Sequence, residues 1–216
     1  MTAVQVRDPS AVRVVVVDYG MGNLRSVAKI VSRTGADVRV GSEADNLDWA
    51  THVILPGVGA FHDAMQELGK RNLIEPLNRY AKDKGKPILG ICLGMELLCK
   101  SSPEVKMTDG LAWIPATMVP FRKSAKLRVP HIGWNQLDMA RPDPLMAGLD
   151  QGSFFYFVHS YYMACENPAD VLARSSYGSE FVAVVRHENV MGTQFHPEKS
   201  QANGFRLLLN FVTEVS

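Results

Sequence analysis

The sequence predicts an α/β protein: a three-layer fold whose open, mainly parallel sheet is flanked by helices and gains antiparallel strands in its C-terminal half. Three observations carry that prediction. Over residues 13–99, short apolar or β-branched runs alternate with stretches of helical spacing, the pattern of a parallel sheet covered on both faces. From about Gly110 onward the pattern changes to short extended segments, and helix returns only near the end. No repeat, low-complexity tract or long linker divides the chain, so residues 13–216 are expected to form one domain, preceded by a polar, loosely held extension over residues 1–12.

Residues 14–17 are four valines in a row, predicted as a strand buried on both faces. DYGMGN follows, and Leu24, Val27, Ala28 and Val31 then recur at helical spacing up to a stop at Gly35. Residues 37–40 are expected as a second strand and 51–55 as a third, leading into PGVGAF. Helices are expected over 63–68 and 74–83, a short strand over 86–91, and helical character from Leu93 to Cys99. The extended segments of the second half are 116–121, 153–158, 171–174, 181–186 and 190–195. His187, Glu188 and Asn189 join the last two as an exposed turn, and 204–212 closes the chain as a helix.

Composition narrows the function. A chain of 216 residues, 46% hydrophobic and 21% charged, can bury one sizeable core. Its formal net charge of +1 argues against nucleic acid or a membrane surface as the main partner, because either demands a basic excess. A small neutral or zwitterionic substrate fits better. Three cysteines without a small-scaffold spacing, no apolar run of membrane-spanning length, and an N-terminal stretch unlike a signal peptide together point to a reducing cytoplasm. No spacing of His, Cys, Asp and Glu suggests a metal cage, and no cofactor is expected.

The strongest local signal is Gly90-Ile91-Cys92-Leu93-Gly94, a nucleophile between spaced glycines where a buried strand turns into a helix. Such an elbow is tight, and side chains beside the nucleophile would collide with neighbouring backbone. At a helix N-terminus the dipole and free N–H groups favour thiolate over thiol. The competing reading is a small buried core cysteine, and Cys99 and Cys165, which lack such surroundings, receive it.

A thiolate that attacks a carbonyl needs a base, and the base needs a partner to fix its tautomer. Of six histidines, His196 stands out because Glu198 lies two residues on, pointing the same way from an extended chain. His187 has Glu188 beside it, but adjacent strand residues point apart, and it reads as surface. The attack also generates an oxyanion, which aimed backbone N–H groups stabilise. Leu93 can supply one, and Pro56-Gly57-Val58-Gly59 after another strand a second, although that stretch alone reads equally as a strand-ending turn.

With these residues assembled, the sequence resembles the class I glutamine amidotransferases, and within them the glutaminase subunits of imidazole glycerol phosphate synthase. The elbow and His-Pro-Glu mark the wider class. The narrower resemblance rests on DYGMGN at 18–23, LPGVGAF at 55–61, GICLGM at 90–95, VPHIGWN at 129–135, YFVHSY at 156–161 and QFHPEKS at 194–200. It implies a class I amidotransferase-like fold in which Cys92 is acylated to a glutamyl thioester, His196 shuttles protons and Glu198 orients it. It further implies an oxyanion site lined by Gly57, Val58 and Leu93, and an L-glutamine pocket built from Glu104 and the Ser160-Tyr161 backbone. The implied partner is a (β/α)8-barrel cyclase, bound as a heterodimer and fed ammonia through a protected channel for histidine biosynthesis. Asn23, Trp134 and Lys199 are implied to lie toward that interface.

One position departs from the resemblance: Glu96 stands where the family has glutamine. Four residues after Cys92 on a helix, it should share the nucleophile's face. An ionised carboxylate there would accept hydrogen bonds but donate none, and would disfavour the thiolate. Glu96 and the extension leave open a paralogue feeding another acceptor, such as a surface-sugar amidation enzyme, or a weakly active regulatory subunit. Elbow and base would also serve a cysteine peptidase or amidase. The glycine turn Gly20-Met21-Gly22 could begin a phosphate site, but it lacks the rest of either nucleotide fingerprint. Arg122, Lys123, Lys126 and Arg128 form a short basic cluster, either a solvated face or a border of the partner interface.

Overall fold

The structure, a computed structural model, describes residues 7–122 and 127–215. Lys123 and Lys126 of the basic cluster, and residues 1–6 of the extension, lie outside them. Arg7 donates its N–H to the Thr213 carbonyl, Pro9–Ala11 forms a single 3-10 turn, and Val12 is buried.

The first half alternates as the spacing predicts. Strand β1 (Arg13–Val17) leads to helix α1 (Leu24–Ser32), β2 (Asp37–Gly41), α2 (Ala44–Trp49) and β3 (His52–Gly57). After them come α3 (Phe61–Lys70), α4 (Ile74–Asn78) with a π-helical turn over Arg79–Asp83, β4 (Ile88–Cys92) and α5 (Leu93–Glu96). Helix α2 was not anticipated, because among its six residues only Leu47 is buried and no apolar period announces it. The elbow helix is also shorter than the helical character expected from Leu93 to Cys99. Beyond Glu96 the N–H groups of Leu98 and Cys99 turn to carbonyls three residues back, and the chain then enters β5 (Ser101–Ser102).

The second half adds β6 (Thr108–Asp109), β7 (Ala116–Pro120), β8 (His131–Gln136), β9 (Asp138–Met139), β10 (Phe154–His159) and β11 (Tyr161–Cys165). It ends with β12 (Val171–Tyr177), β13 (Ser179–His187), β14 (Val190–Thr193) and α6 (Gln201–Thr213). Strand β13 runs through His187, whose Nδ1 meets Asp170 Oδ1 at 3.1 Å, so this imidazole is tied to a carboxyl rather than loose on a turn.

Eight strands form the main sheet in the order β2-β1-β3-β4-β14-β13-β12-β9. The first five are mutually parallel, and β13, β12 and β9 continue the sheet antiparallel. A pair, β10-β8, and a four-stranded sheet, β11-β7-β5-β6, stand apart from it. Alternate side chains of β1 enter two cores: Val15 and Val17 pack with Leu47, Phe61, Leu68 and Leu77 of α2–α4, whereas Val14 and Val16 pack with Val27, Val31, Leu207 and Phe211 of α1 and α6. Two apolar faces on one sheet explain the unbroken valine run. Among the described residues, no helix is long and apolar enough to cross a membrane.

Candidate active site

Cys92 closes β4 at the centre of the main sheet with φ +52° and ψ −113°, a conformation that L-residues rarely adopt. The flanking glycines are required by close approach. A Cβ on Gly90 would stand 2.6 Å from the Gly94 carbonyl oxygen, and one on Gly94 would overlap the Leu55 carbonyl oxygen. Strand β3 reaches two residues further than expected, to Gly57, which pairs in register with Cys92. That pairing brings Val58 to the cavity beside Cys92. A Cβ on Gly57 would strike the Tyr19 hydroxyl, the Gly94 N–H and Leu93 at 2.5–2.9 Å, so only glycine permits this proximity.

His196 follows β14, the parallel neighbour of β4, with Thr193 opposite Ile91. Its N–H donates to the Tyr156 carbonyl and its own carbonyl accepts from Ser200 Oγ at 2.6 Å. The imidazole Nδ1–H donates to Glu198 Oε1 at 2.9 Å, with both side chains 2% exposed or less. Nε2 is buried without a hydrogen-bond partner among the described residues. Its lone pair is therefore the free basic position of the ring.

Cys92 and His196 open into one cavity of about 260 Å³ that is also lined by Val58, Leu93, Glu96, Glu104, Ser160 and Tyr161. This volume lies below the usual range for drug-sized ligands, and the lining mixes apolar wall with a few convergent polar groups. Glu104 is anchored from outside: its Oε2 accepts the Phe61 N–H at 2.7 Å, at the start of α3. Gly57 stands behind the cavity wall. Among the described residues, no group of three His, Cys, Asp or Glu could hold a metal ion.

Two electrostatic expectations change. The Cys92 thiol is held well above the ordinary cysteine range, first by burial and then by Glu96, which together outweigh the Leu93 N–H. The resting group is a thiol, and it donates to the Val158 carbonyl at 3.7 Å. A four-residue helix carries too small a dipole to offset full desolvation. Burial likewise raises Glu96 to about 8, with Glu104 adding to the rise and Gln194 opposing it. Near neutral pH, Glu96 is mainly an uncharged acid that can donate a hydrogen bond, as an amide would.

The three residues expected at an interface occupy two places. Trp134 on β8 lies opposite Tyr156 with ring centroids 6.1 Å apart, and Lys199 Nζ sits 5.6 Å from the same tyrosine ring. Ile132 and Phe154 are also exposed on this face. Asn23 stands at the start of α1, outside that cluster. Sequence reasoning missed Gln194, His131 and His159, all buried polar groups within quoted motifs. For His159, a polar residue ending the apolar run of β10 was the available signal, whereas His131 lies on a strand of mixed polarity and Gln194 on the bend after β14.

The family model for class I glutamine amidotransferase matches residues 15–215. The imidazole glycerol phosphate synthase subunit HisH of Syntrophotalea carbinolica is 47% identical over 203 residues, covering 92% of this chain and 98% of the relative. The subunit of the same name from Halobacterium salinarum is 48% identical, covering 92% of each chain. The solved structure of PurLQS from Thermotoga maritima superposes with a TM-score of 0.73 at 20% identity, over 92% of this chain and 96% of that one, a likeness of fold.

Proposed function

The chain belongs to the class I glutamine amidotransferases, and from that premise we propose that it hydrolyses L-glutamine to L-glutamate and ammonia for imidazole glycerol phosphate synthase in histidine biosynthesis. The observation that carries the reading is the pairing of Cys92 and His196 in one small cavity, with Nδ1 of the histidine held by Glu198.

In this mechanism the Cys92 proton passes to His196 Nε2 as sulfur attacks the carboxamide carbon of glutamine. Generating the thiolate only at that moment suits a buried sulfur that rests as a thiol. The carbonyl oxygen becomes an oxyanion facing the N–H groups of Leu93 and Val58, with Gly57 giving the second strand its close approach. The intermediate collapses as His196 protonates the departing nitrogen, which leaves as ammonia. A thioester between Cys92 and the glutamyl group remains. Water then attacks that carbonyl, with its proton taken by His196, and the return of a proton to sulfur releases glutamate. Glu198 keeps the base in one tautomer throughout.

The Glu104 carboxyl suits the ammonium of an amino acid, neutral Glu96 can donate to its carboxylate, and the Ser160-Tyr161 backbone forms the opposite wall. The relatives' subunit names support a second subunit that consumes the ammonia, here a (β/α)8-barrel cyclase in a cytoplasmic heterodimer. The exposed apolar face of Ile132, Trp134 and Phe154, with Lys199 beside it, supports docking there, with Asn23 at the start of α1 as a second, separate contact.

The test is to assay the complex with glutamine and then with ammonium salt. Cys92→Ala and His196→Ala should abolish the glutamine-dependent reaction and spare the ammonia-dependent one. Equal loss of both activities would sink the assignment.

A further inference from the structure

Ser160 marks a change of sheet: β10 pairs with β8, whereas β11, beginning one residue later, pairs with β7. No single ladder of backbone hydrogen bonds runs through this corner, yet residues 158–161 line the cavity. The Ser160 carbonyl accepts the Phe121 N–H at 3.1 Å, and the Tyr161 carbonyl is met by His159 Nδ1 at 2.7 Å. A carbonyl can only accept, so His159 carries its proton on Nδ1. Its Nε2 must then accept, and it lies 3.0 Å from His131 Nδ1. His131 therefore also carries its proton on Nδ1, which leaves its Nε2 to face Asn135 Nδ2 at 3.4 Å. That amide is a donor on independent grounds, because it also bonds the Ser176 carbonyl at 2.8 Å. One carbonyl thus dictates every proton from β11 back to β8.

We infer that His131 and His159 are positioning residues, a tautomer-locked pair that clamps the Tyr161 carbonyl and holds the Ser160-Tyr161 wall in the shape that binds substrate. The inference rests on the reading of this cavity as the glutamine site. His131 and His159 are register partners across β8 and β10, 3% and 5% exposed. The His131 ring is stacked between Tyr177 and Phe157, at 4.1 and 5.2 Å with interplanar angles of 22° and 24°. Phe121 and Phe181 close on His159 at 5.2 and 5.0 Å. Burial lowers His131 to about 4 and His159 to about 3, so neither ring gains a second proton in the working range. Stacking fixes the rings in place, and the hydrogen bonds fix which nitrogen donates.

The experiment separates shape from donation. His131→Phe keeps a ring in the stack but removes the donor, while His131→Asn keeps an amide N–H near the Nδ1 position without the ring. The glutamine KM should rise about tenfold in His131→Phe at nearly unchanged kcat, and stay within about threefold of wild type in His131→Asn. Nitrogen-15 NMR of the wild-type chain should show His159 as the Nδ1–H tautomer. An Nε2–H tautomer in active wild-type protein, a KM unmoved in the Phe variant, or equal KM increases in both variants would overturn the inference alone. Should the Phe variant fail to fold, the wild-type tautomer decides. Wild-type protein that hydrolyses no glutamine with its partner would overturn the glutaminase reading, and this inference with it.

Discussion

Gln194 holds Glu96 by one hydrogen bond: Nε2 donates to Oε1 at 2.8 Å, and the two residues are 0% and 6% exposed. The bond leaves the second carboxyl oxygen of Glu96 to carry the proton that burial retains, on a residue that lines the cavity beside Cys92. The residue that breaks the resemblance in sequence therefore preserves its hydrogen-bonding character in the fold.

Glu96→Gln should accordingly leave glutaminase kcat/KM within about threefold at pH 7, rather than raise it as a charged carboxylate would require. Above pH 8 the wild type should decline relative to the variant, because only the wild type ionises there. Parallel pH profiles check this, and a variant tenfold faster at pH 7 would contradict it.

The same substitution has a stability signature. The folded value of about 8 exceeds the ordinary 4.5, so between those limits the native state binds a proton that the unfolded chain has released. This contribution to wild-type stability is complete below pH 4.5, falls as pH rises, and is gone above 8. Relative to wild type, Glu96→Gln should gain stability across that window, up to a ceiling of about 5 kcal/mol. Urea unfolding at pH 5 and pH 8.5 measures the difference.

Glu198→Gln removes the acceptor that fixes His196 while nearly preserving volume. A drop in kcat of at least about 100-fold, with a small change in glutamine KM, is expected from a base no longer held in its working tautomer. Stopped-time glutamate assays with partner present check it.

Cys92→Ala should abolish glutamate release, whereas Cys99→Ala and Cys165→Ala should retain most of it, since neither sulfur lines the cavity. Cys92→Gly, equally inactive, should be more stable than Cys92→Ala by about 1 kcal/mol, because its φ of +52° suits glycine. Denaturant melts of the two variants compare them directly.

Gly94→Ala should fold poorly or lose more than about 3 kcal/mol, because its Cβ meets backbone that cannot step aside. Gly85→Ala, where an added Cβ meets no atom of the described residues within 4 Å but φ is +57°, should lose only about 1 kcal/mol.

The strand-to-helix elbow at Cys92, the His196–Glu198 contact and the parallel half of the fold were legible because each leaves a local trace. Glycines bracket Cys92, Glu198 stands two residues after His196, although a 3-10 turn over Pro197–Lys199 rather than the expected extended chain brings the two together, and valines crowd β1. Strands β8 and β11 were not legible, although both lie within or beside quoted motifs. In β8 the inward residues are His131, Gly133 and Asn135, while Ile132 and Trp134 face outward, so its polarity is inverted relative to a half-buried strand. The charge states of Cys92 and Glu96 were unreadable for a different reason. They depend on desolvation by segments distant in the chain, and no spacing encodes that.

The adjacency of β4 and β14 has a bearing on how this protein fails. Cys92 and His196 leave neighbouring strands of the eight-stranded sheet, whereas Ser160 and Tyr161 belong to a corner between two smaller sheets. Regions with fewer flanking strands open at lower free energy than a central ladder. On gentle heating, amide protons of β10 and β11 should exchange with deuterium before those of Leu89 and Met191. Affinity for substrate would then be lost ahead of the reactive pair, leaving a partly opened protein whose sulfur and imidazole are still aligned but have nothing to act on.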